Sequence, residues 1–311
     1  MKGAIVTGGA GFIGAHLCRR LLAEGYRVEA IDDLSTGDAG RLPRGVELHI
    51  ANVAGEVIWS GAPVDLVFHL ACPASPIHYQ RDPLGTLDVC SRGTMNALVL
   101  ARRCDARFIL ASTSEVYGDP LEHPQRETYL GNVDPVGPRS MYDEGKRFAE
   151  ALTTAAMRTY GLEARIARIF NTYGPGMDPF DGRIVPTFVR QALANEPITV
   201  HGDGRQTRSF CYVDDLVEGL MRLALLDVDG APVNLGNPIE DAVLGIAMEV
   251  KRAAVTSSSE IRFVERPAGD PERRRPDITR AVRMLNGWQP RIQLREGLAR
   301  TIAASRVEVE A

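Results

Sequence analysis

The sequence predicts an α/β protein with a doubly wound parallel sheet, followed by a smaller C-terminal α/β lobe. Short apolar runs alternate with helix-like segments through the first 170 residues, as in a parallel sheet whose strands are joined by helices. These runs are apolar at successive positions, which is typical of strands covered by helices on both faces. After residue 171 the elements shorten, and glycine, proline and aspartate separate them. We therefore expect a first domain at 1–170 and a second lobe at 171–311, with some chain returning to the first domain.

Each element has its own signal in the sequence. The predicted strands are apolar runs at 3–8, 27–33, 64–71, 107–112 and 163–170. The predicted helices repeat apolar residues at helical spacing and cover 12–25, 84–104 and 142–161. The second lobe adds a predicted helix at 187–195 and strands at 198–202 and 231–236. In open sheets of this kind ligands bind at the carboxyl ends of the strands, so we expect a site between the lobes.

The composition of the chain is that of an ordinary globular protein. Of its 311 residues, 44% are hydrophobic and 24% are charged, and the net charge is −4. Because there is neither a basic block nor an acidic tail, we expect no nucleic-acid partner and no membrane partner. The N-terminal apolar run is too short for a signal peptide, and no apolar run is long enough to span a bilayer.

The cysteines argue against a disulfide framework and against a zinc site. They are odd in number and widely spaced, with no C-x-x-C pair: Cys18, Cys72, Cys90, Cys104 and Cys211. The sequence therefore predicts a reduced, cytoplasmic protein without a metal site.

The turn after the first strand carries a glycine-rich fingerprint. The run "TGGAGFIG" places Gly8, Gly11 and Gly14 between a strand and a helix. Glycines let the backbone approach a pyrophosphate, and the helix N-terminus offers it free N–H groups and a positive dipole. The second strand leads to Asp32, whose carboxylate can accept hydrogen bonds from ribose hydroxyls and repel a 2′-phosphate, or can simply start a turn. Together these features predict a Rossmann domain that binds NAD rather than NADP.

Tyr142 and Lys146 form a Y-x-x-x-K pair on a predicted helix. Their i, i+4 spacing puts both side chains on one face. A neighbouring ammonium stabilises a phenolate, so we expect Lys146 to lower the pKa of Tyr142 from its usual value of about 10. The tyrosine can then take a proton from a substrate hydroxyl as a hydride leaves the same carbon. The run "STSEVYGDP" at 112–120 follows another strand and brings hydroxyls and a carboxylate to the same edge of the sheet.

Several motifs, in the expected order, make the chain similar to the extended short-chain dehydrogenase/reductases that act on nucleotide sugars. Within that superfamily it most resembles the UDP-glucuronate decarboxylases, or UDP-xylose synthases. The matching runs are "HLACPASPIHY", "STSEVYGDPLEHPQ", "RSMYDEGKR", "ARIFNTYGP", "GDGRQTRSFCYVDDLVEG" and "DPERRRPDI". The match covers nearly the whole chain, and these runs together are far more specific than the glycine loop.

The resemblance implies contacts to NAD and to a UDP-sugar. The implied cofactor-binding residues are Gly8, Gly11, Phe12, Ile13, Gly14, Asp32, Asp33, Ser35, Thr36, Gly37, Asn52, Val53, Leu70, Ala71, Tyr142 and Lys146. The implied substrate-binding residues are Pro73, Glu115, Asn171, Arg183, Thr187, His201, Arg208, Tyr212 and Arg274.

The resemblance also implies six catalytic residues: Thr113, Ser114, Glu115, Tyr142, Lys146 and Arg274. Thr113 would share the hydrogen bond to the substrate O4 with Tyr142. Dehydratases usually carry Asp-Glu at Ser114 and Glu115, and simple 4-epimerases carry small neutral residues there, so this pair favours decarboxylation. Arg274 would hold the C6 carboxylate of the substrate with two hydrogen bonds, although the charge of "ERRRPD" alone is more typical of a solvated basic loop before a helix.

The implied reaction is NAD-dependent decarboxylation of UDP-glucuronate to UDP-xylose through a UDP-4-keto sugar, with the cofactor regenerated. The alternative is a UDP-glucuronate or UDP-hexose 4-epimerase that uses the same chemistry. Pro186 and Thr187 stand where many decarboxylases carry Ser-Asn, which keeps that alternative open. A 4,6-dehydratase and a non-catalytic NAD-dependent sensor are weaker alternatives.

Other departures from the family pattern are Cys90 in place of asparagine, Asn52 in place of aspartate and His201 in place of tyrosine. The resemblance further implies a homodimer that forms through the predicted helices at 84–104 and 142–161.

Overall fold

The structure is a computed structural model that describes residues 1–56, 58–255, 257–266 and 273–310, the last four of these without their side chains. The strands are β1 (Gly3–Thr7), β2 (Arg27–Asp32), β3 (Val46–Ile50), β4 (Leu66–His69), β5 (Arg107–Thr113), β6 (Ala164–Ile169), β7 (Thr172–Tyr173), β8 (Ile198–His201), β9 (Thr207–Arg208), β10 (Cys211–Tyr212), β11 (Val233–Leu235), β12 (Asp241–Ala242), β13 (Ile261–Val264) and β14 (Arg273–Arg274). The helices are α1 (Phe12–Ala23), α2 (Pro76–Arg81), α3 (Pro83–Asp88), α4 (Thr94–Cys104), α5 (Ser140–Tyr160), α6 (Ile184–Leu193), α7 (Val213–Leu225), α8 (Val243–Ala253), α9 (Thr279–Met284) and α10 (Leu294–Glu310).

Seven parallel strands form the central sheet, in the order β11-β6-β5-β4-β1-β2-β3. From β1 the chain first runs outward through β2 and β3, and then crosses to the other side of β1 to form β4. This reversal is the topological switch point at which doubly wound sheets bind their ligands. The predicted fold class is confirmed.

Helices cover both faces of this sheet. On one face α1 packs against α7, with Leu17 and Leu220 fully buried in one apolar cluster. On the other face α4 packs against α5, where Leu98 and Ala149 belong to a second cluster. Both faces of the strands are therefore buried, which is the reason that their sequences are apolar at successive positions.

The predicted helix at 84–104 is wrong in detail, because it consists of three consecutive segments. Helix α3 ends at Asp88, a π-helical turn occupies Val89–Gly93, and α4 begins at Thr94. A π turn inserts an extra residue into the helical repeat and is frequent at functional sites. Cys90 lies in this turn.

The second half of the chain divides between the sheet and the smaller lobe. The predicted strand at 231–236 belongs to the central sheet, because β11 pairs with the free edge of β6. The smaller lobe contains the β8–β13 pair and the three-stranded β12-β9-β14 sheet, with α6 and α8 packed beside them. Helices within the described ranges are all too short or too polar to cross a membrane.

Candidate active site

A cavity of about 640 Å³ lies between the sheet and the smaller lobe. Its walls come from the β1–α1 loop, the carboxyl ends of β5 and β6, the first turns of α5, and residues of α6, β9 and β14. All six residues that the resemblance implied to be catalytic line this cavity: Thr113, Ser114, Glu115, Tyr142, Lys146 and Arg274. Residues separated by more than 150 positions are thus brought together at the switch point of the sheet.

The glycine loop forms one wall of the cavity and has no room for side chains. A Cβ atom at Gly8 would lie 2.7 Å from the backbone nitrogen of Ala71, and one at Gly14 would lie 2.1 Å from the carbonyl oxygen of Gly8. Gly8 also has a φ of +72°, a conformation that favours glycine. Gly11 caps the N-terminus of α1 without a side-chain hydrogen bond. The loop therefore offers bare backbone and a helix N-terminus, which fits the diphosphate of a dinucleotide.

The carboxylate of Asp32 supports the same loop from the end of β2. It accepts hydrogen bonds from the backbone nitrogens of Ala10 and Leu34, each at 2.9 Å, and it is almost fully buried. Burial raises its pKa, and these two hydrogen bonds oppose that change. The exposed Asp33 accepts from the backbone and hydroxyl of Ser35 and from the amide of Asn52.

The predicted cofactor-binding residues fall into two groups. Those that line the cavity are Gly8, Gly11, Phe12, Ile13, Gly14, Thr36, Leu70, Tyr142 and Lys146. Those that lie outside its wall are Asp32, Asp33, Ser35, Gly37, Asn52, Val53 and Ala71. Some residues of the second group make contacts within the neighbouring loops. Gly37 lies against the carboxylate of Asp32, and the amide oxygen of Asn52 accepts a hydrogen bond from the backbone nitrogen of Ala54.

Tyr142 and Lys146 lie on consecutive turns of α5, as their spacing predicts. The ammonium of Lys146 donates to the carbonyl oxygen of Ala111 at 3.0 Å and lies 5.9 Å from the centre of the Tyr142 ring. Burial raises the pKa of Tyr142 well above its usual value, the nearby Cys72 raises it further, and a hydrogen bond with Thr113 opposes both effects. The expectation of a lowered pKa is therefore wrong for this structure, because burial and the neighbouring Cys72 and Glu115 outweigh the hydrogen bond with Thr113.

The run after β5 divides into structural and cavity-facing residues. Ser112 lies in the cavity wall, but its hydroxyl is already used, because it donates to Glu150, which also holds Arg168 with two hydrogen bonds. The side chain of Thr113 accepts from the backbone nitrogen of Glu115 at 3.2 Å and begins the short helical turn Ser114–Tyr117. This turn presents the carboxylate of Glu115 to the cavity.

Glu115 is held between two guanidinium groups, Arg274 on one carboxylate oxygen and Arg139 on the other. Burial alone would raise the pKa of Glu115, but the two arginines, Arg274 first, bring it below its usual value. Arg274 is 4% exposed and also donates to the carbonyl oxygen of Gly118 at 2.7 Å, while its Nε atom has no hydrogen-bond partner among the described residues. A buried cation with an unused donor suits an anionic ligand group.

Three further residues of this cluster were missed by the sequence reasoning. Tyr79 stacks on Tyr142, with ring centres 5.0 Å apart, and its buried hydroxyl has no partner in the described chain. Burial raises the pKa of Tyr79 to about 12. Asp143 is buried next to Tyr142, and burial together with Glu115 raises its pKa to about 7. Each missed residue lies inside a motif that carried the resemblance: Tyr79 ends "HLACPASPIHY", and Arg139 and Asp143 belong to "RSMYDEGKR".

Most of the predicted substrate-binding residues line the same cavity. In addition to Glu115 and Arg274, those in its wall are Asn171, Arg183, Thr187, His201 and Arg208. Arg183 pairs with the buried carboxylate of Asp181, and Arg208 is itself buried. Pro73 and Tyr212 lie outside the cavity wall. Tyr212 is a core residue that packs edge-on against Tyr173, with ring centres 5.5 Å apart, because β7 and β10 are paired.

The fold and this site define a dinucleotide-binding protein with a tyrosine–lysine helix at the switch point of its sheet. More particularly, the chain belongs to the NAD dependent epimerase/dehydratase family, whose model matches residues 4–236. It is 52% identical over 305 residues to a UDP-glucuronic acid decarboxylase 1 of Arabidopsis thaliana, covering 96% of this chain and 68% of that protein. It is 50% identical to a UDP-glucuronic acid decarboxylase 5 of the same plant, covering 94% and 86%. Among solved structures it is similar to a UDP-glucose 4-epimerase of Thermotoga maritima, with a TM-score of 0.91, 29% identity and 99% of both chains covered.

Proposed function

We propose that this protein is a UDP-glucuronate decarboxylase, which converts UDP-glucuronate to UDP-xylose and CO₂. The observation that carries the proposal is the buried arginine Arg274, which lies in the wall of the cavity that also contains Tyr142. An epimerase or dehydratase of neutral sugars has no substrate carboxylate to place against such a cation. The near 50% identity to curated UDP-glucuronic acid decarboxylases over most of the chain supports the same activity.

The cofactor is NAD, and the residues at the glycine loop fit it. Gly8, Gly11 and Gly14 would receive the diphosphate, and Asp32 behind them would accept from the adenosine ribose through its remaining lone pairs. When bound, NAD⁺ supplies a reversible hydride acceptor for C4 of the sugar, so that the cofactor is regenerated within each cycle.

Tyr142 is the proposed base for the sugar O4 hydroxyl. Thr113 is hydrogen-bonded to its phenol and would hold the same O4, and the positive charge of Lys146 favours the phenolate that forms on proton loss. Because burial raises the pKa of Tyr142, its ionisation requires added positive charge close to the phenol.

Oxidation at C4 makes the substrate a β-keto acid, which is what permits the loss of CO₂. Arg274 would orient the C6 carboxylate, and Tyr142 and Thr113 would stabilise the enolate oxygen at O4 once the C5–C6 bond breaks. C5 is then protonated from a water held by Glu115 or Ser114. Protonation of C5 and return of hydride to C4 complete UDP-xylose.

At the nucleotide end, Asn171 would contact the diphosphate, and Arg183 and Arg208 would neutralise phosphate or bind the ribose. His201 would stack beside uracil. Support for these roles is that all four residues line the same cavity as the catalytic cluster. In this account residues 1–170 form the NAD-binding domain and 171–311 mainly the nucleotide-sugar lobe.

The test is to incubate the protein with UDP-glucuronate and NAD⁺ and to identify the product by mass and NMR. Decarboxylation predicts a product lighter by CO₂ with the C4 configuration retained. A product of unchanged mass and inverted C4 would contradict it in favour of the 4-epimerase that Pro186 and Thr187 left open.

We further propose that the protein is a cytoplasmic homodimer. The outer surface of α3, α4 and α5 exposes large apolar side chains: Leu84, Leu87, Met95, Val99 and Phe148. A second copy of the chain would cover this surface by forming a bundle of helices. The five cysteines are free thiols, which is consistent with a reducing compartment. Sedimentation of the purified protein would decide between dimer and monomer.

A further inference from the structure

Two cysteine thiols meet in the wall of the active site. Cys72 lies in the loop after β4, and Cys90 lies in the π-helical turn between α3 and α4. Their sulfur atoms are 3.5 Å apart, although the residues are 18 positions apart in the sequence. Cys72 is half-buried and lines the cavity, whereas Cys90 is buried directly behind it.

The chemical environment gives the two thiols different roles. Cys90, acting as hydrogen-bond donor, and the ammonium of Lys146 lower the pKa of Cys72, in spite of its burial. The same hydrogen bond and burial raise the pKa of Cys90 well above its usual value. Cys72 is thus the thiol that ionises more readily and has access to the cavity, and Cys90 is the less acidic thiol next to it. Oxidation-sensitive cysteines characteristically pair a stabilised, accessible thiolate with a second thiol that resolves it.

The site is built into the fold rather than formed by chance contact of flexible side chains. A Cβ atom at Gly145 would lie 3.0 Å from the sulfur of Cys90, so a larger residue at this position of α5 would require Cys90 to shift by a few tenths of an ångström. The π turn holds Cys90 there, where the family pattern has asparagine.

We propose that Cys72 and Cys90 form a reversible disulfide site, oxidised by peroxides, that turns the enzyme off. The thiolate of Cys72 attacks one oxygen of hydrogen peroxide and breaks the O–O bond, giving a sulfenic acid and hydroxide. The hydroxide takes up a proton and leaves as water. The sulfur of Cys90 then attacks that of Cys72, and the sulfenic oxygen leaves with the Cys90 proton as a second water. Two thiols lose two electrons in total, and one peroxide gains them.

Disulfide formation would disturb the catalytic groups because both cysteines adjoin them. The sulfurs must approach from 3.5 Å to about 2.05 Å, a closure of about 1.5 Å. Cys90 packs against Gly145, the residue before Lys146, and Cys72 precedes Pro73 in the cavity loop. Displacements of about 1 Å in an active site can cost about 100-fold in rate, so we expect the oxidised enzyme to lose at least tenfold in activity.

The test is to treat the purified protein with hydrogen peroxide, block the remaining thiols with N-ethylmaleimide, digest it and identify linked peptides by mass spectrometry. We expect a Cys72–Cys90 crosslink, together with an activity loss that dithiothreitol reverses. Cys104→Ser, which changes a thiol remote from this pair, is the matched control and should keep both responses. Cys90→Ser and, as a second variant, Cys90→Asn should lose the crosslink. With excess peroxide their unresolved Cys72 sulfenic acid should be oxidised further to the sulfinic acid, so dithiothreitol should no longer restore activity, each variant being compared with its own untreated activity.

Two results would overturn the proposal. One is the absence of the crosslink while the wild-type protein is oxidised at Cys72 alone. The other is reversible inactivation of Cys90→Ser to the same extent as wild type. The crosslink is read from the protein itself, so it decides the existence of the site even if UDP-glucuronate is not the substrate.

Discussion

Replacing Arg274 by alanine should separate decarboxylation from cofactor binding. Arg274 is 4% exposed and pairs with Glu115, so it acts in a dry environment where charged hydrogen bonds are strong. A hydrogen bond to a charged group is worth about 1.5–3 kcal/mol, which corresponds to a loss of about 10- to 150-fold in kcat/KM for UDP-glucuronate. Glu115 keeps Arg139 as a partner in the variant, which limits the damage to the fold. The assay is the initial rate of UDP-xylose formation, alongside the Kd for NAD⁺ from a fluorescence titration.

The chain offers a matched control in the adjacent residue. Arg273 lies on the same short strand but is exposed, so Arg273→Ala removes the same charge without touching the cavity. We expect near wild-type turnover from Arg273→Ala and unchanged NAD⁺ affinity from both variants. The proposed role of Arg274 is refuted if Arg274→Ala weakens NAD⁺ binding as much as turnover, or if Arg273→Ala loses activity to the same degree.

Three further predictions concern the catalytic helix and its neighbours. Tyr142→Phe should lower kcat by about 100- to 10,000-fold, which is the usual contribution of general acid–base catalysis, while NAD⁺ binding is retained. A kcat above a tenth of the wild-type value would contradict the role of Tyr142 as the base. Tyr79→Phe removes a buried hydroxyl that lacks a partner in the described chain, so the Tm should stay the same or rise. The kcat/KM for UDP-glucuronate should fall about tenfold. A drop in Tm with unchanged kinetics would show that the hydroxyl is purely structural. Asp143 has a folded-state pKa of about 7, above its unfolded value, so its ionisation destabilises the fold progressively from about pH 4 to pH 7 and fully above that range. Asp143→Asn should therefore raise the free energy of unfolding more at pH 8 than at pH 5, and an equal change at both values would exclude this titration.

The central sheet and its site edge were predictable because they depend on local patterns. Apolar runs alternating with helices specify parallel strands, and the glycine loop needs glycine for steric reasons that the sequence displays directly. Tyr142 and Lys146 share a helix face by spacing alone. Thr113 and Glu115 could be placed in the cavity with Tyr142 because they follow β5, which ends at the edge of the sheet where the cavity lies.

What could not be predicted depends on contacts across the fold. The strand at 231–236 joins the central sheet only because β6 has a free edge, which no local pattern reveals. The pKa of Tyr142 depends on its burial beneath Tyr79 and beside Cys72, and spacing to Lys146 carries no information about desolvation. The contact of Arg139 with Glu115 could not be predicted from the sequence, because an arginine before a helix is usually solvated.

The pairing of Cys72 with Cys90 shows the same limit. The sequence has no C-x-x-C motif, yet the loop after β4 and the π turn bring the two sulfurs to 3.5 Å. A helix with a regular repeat over 84–104 would have given Cys90 a different direction, so its neighbour depends on a local irregularity that the apolar spacing does not encode.

The most direct test of the account follows the C6 carboxylate itself. UDP-glucuronate labelled with carbon-13 at C6 is turned over in deuterium oxide with a catalytic amount of NAD⁺. We predict one labelled CO₂ per UDP-xylose formed, one deuteron at C5 of that product, and no net accumulation of NADH. A labelled UDP-sugar that keeps its carboxylate, whatever its C4 configuration, would contradict the assignment of Arg274, Glu115 and Tyr142 to a decarboxylase.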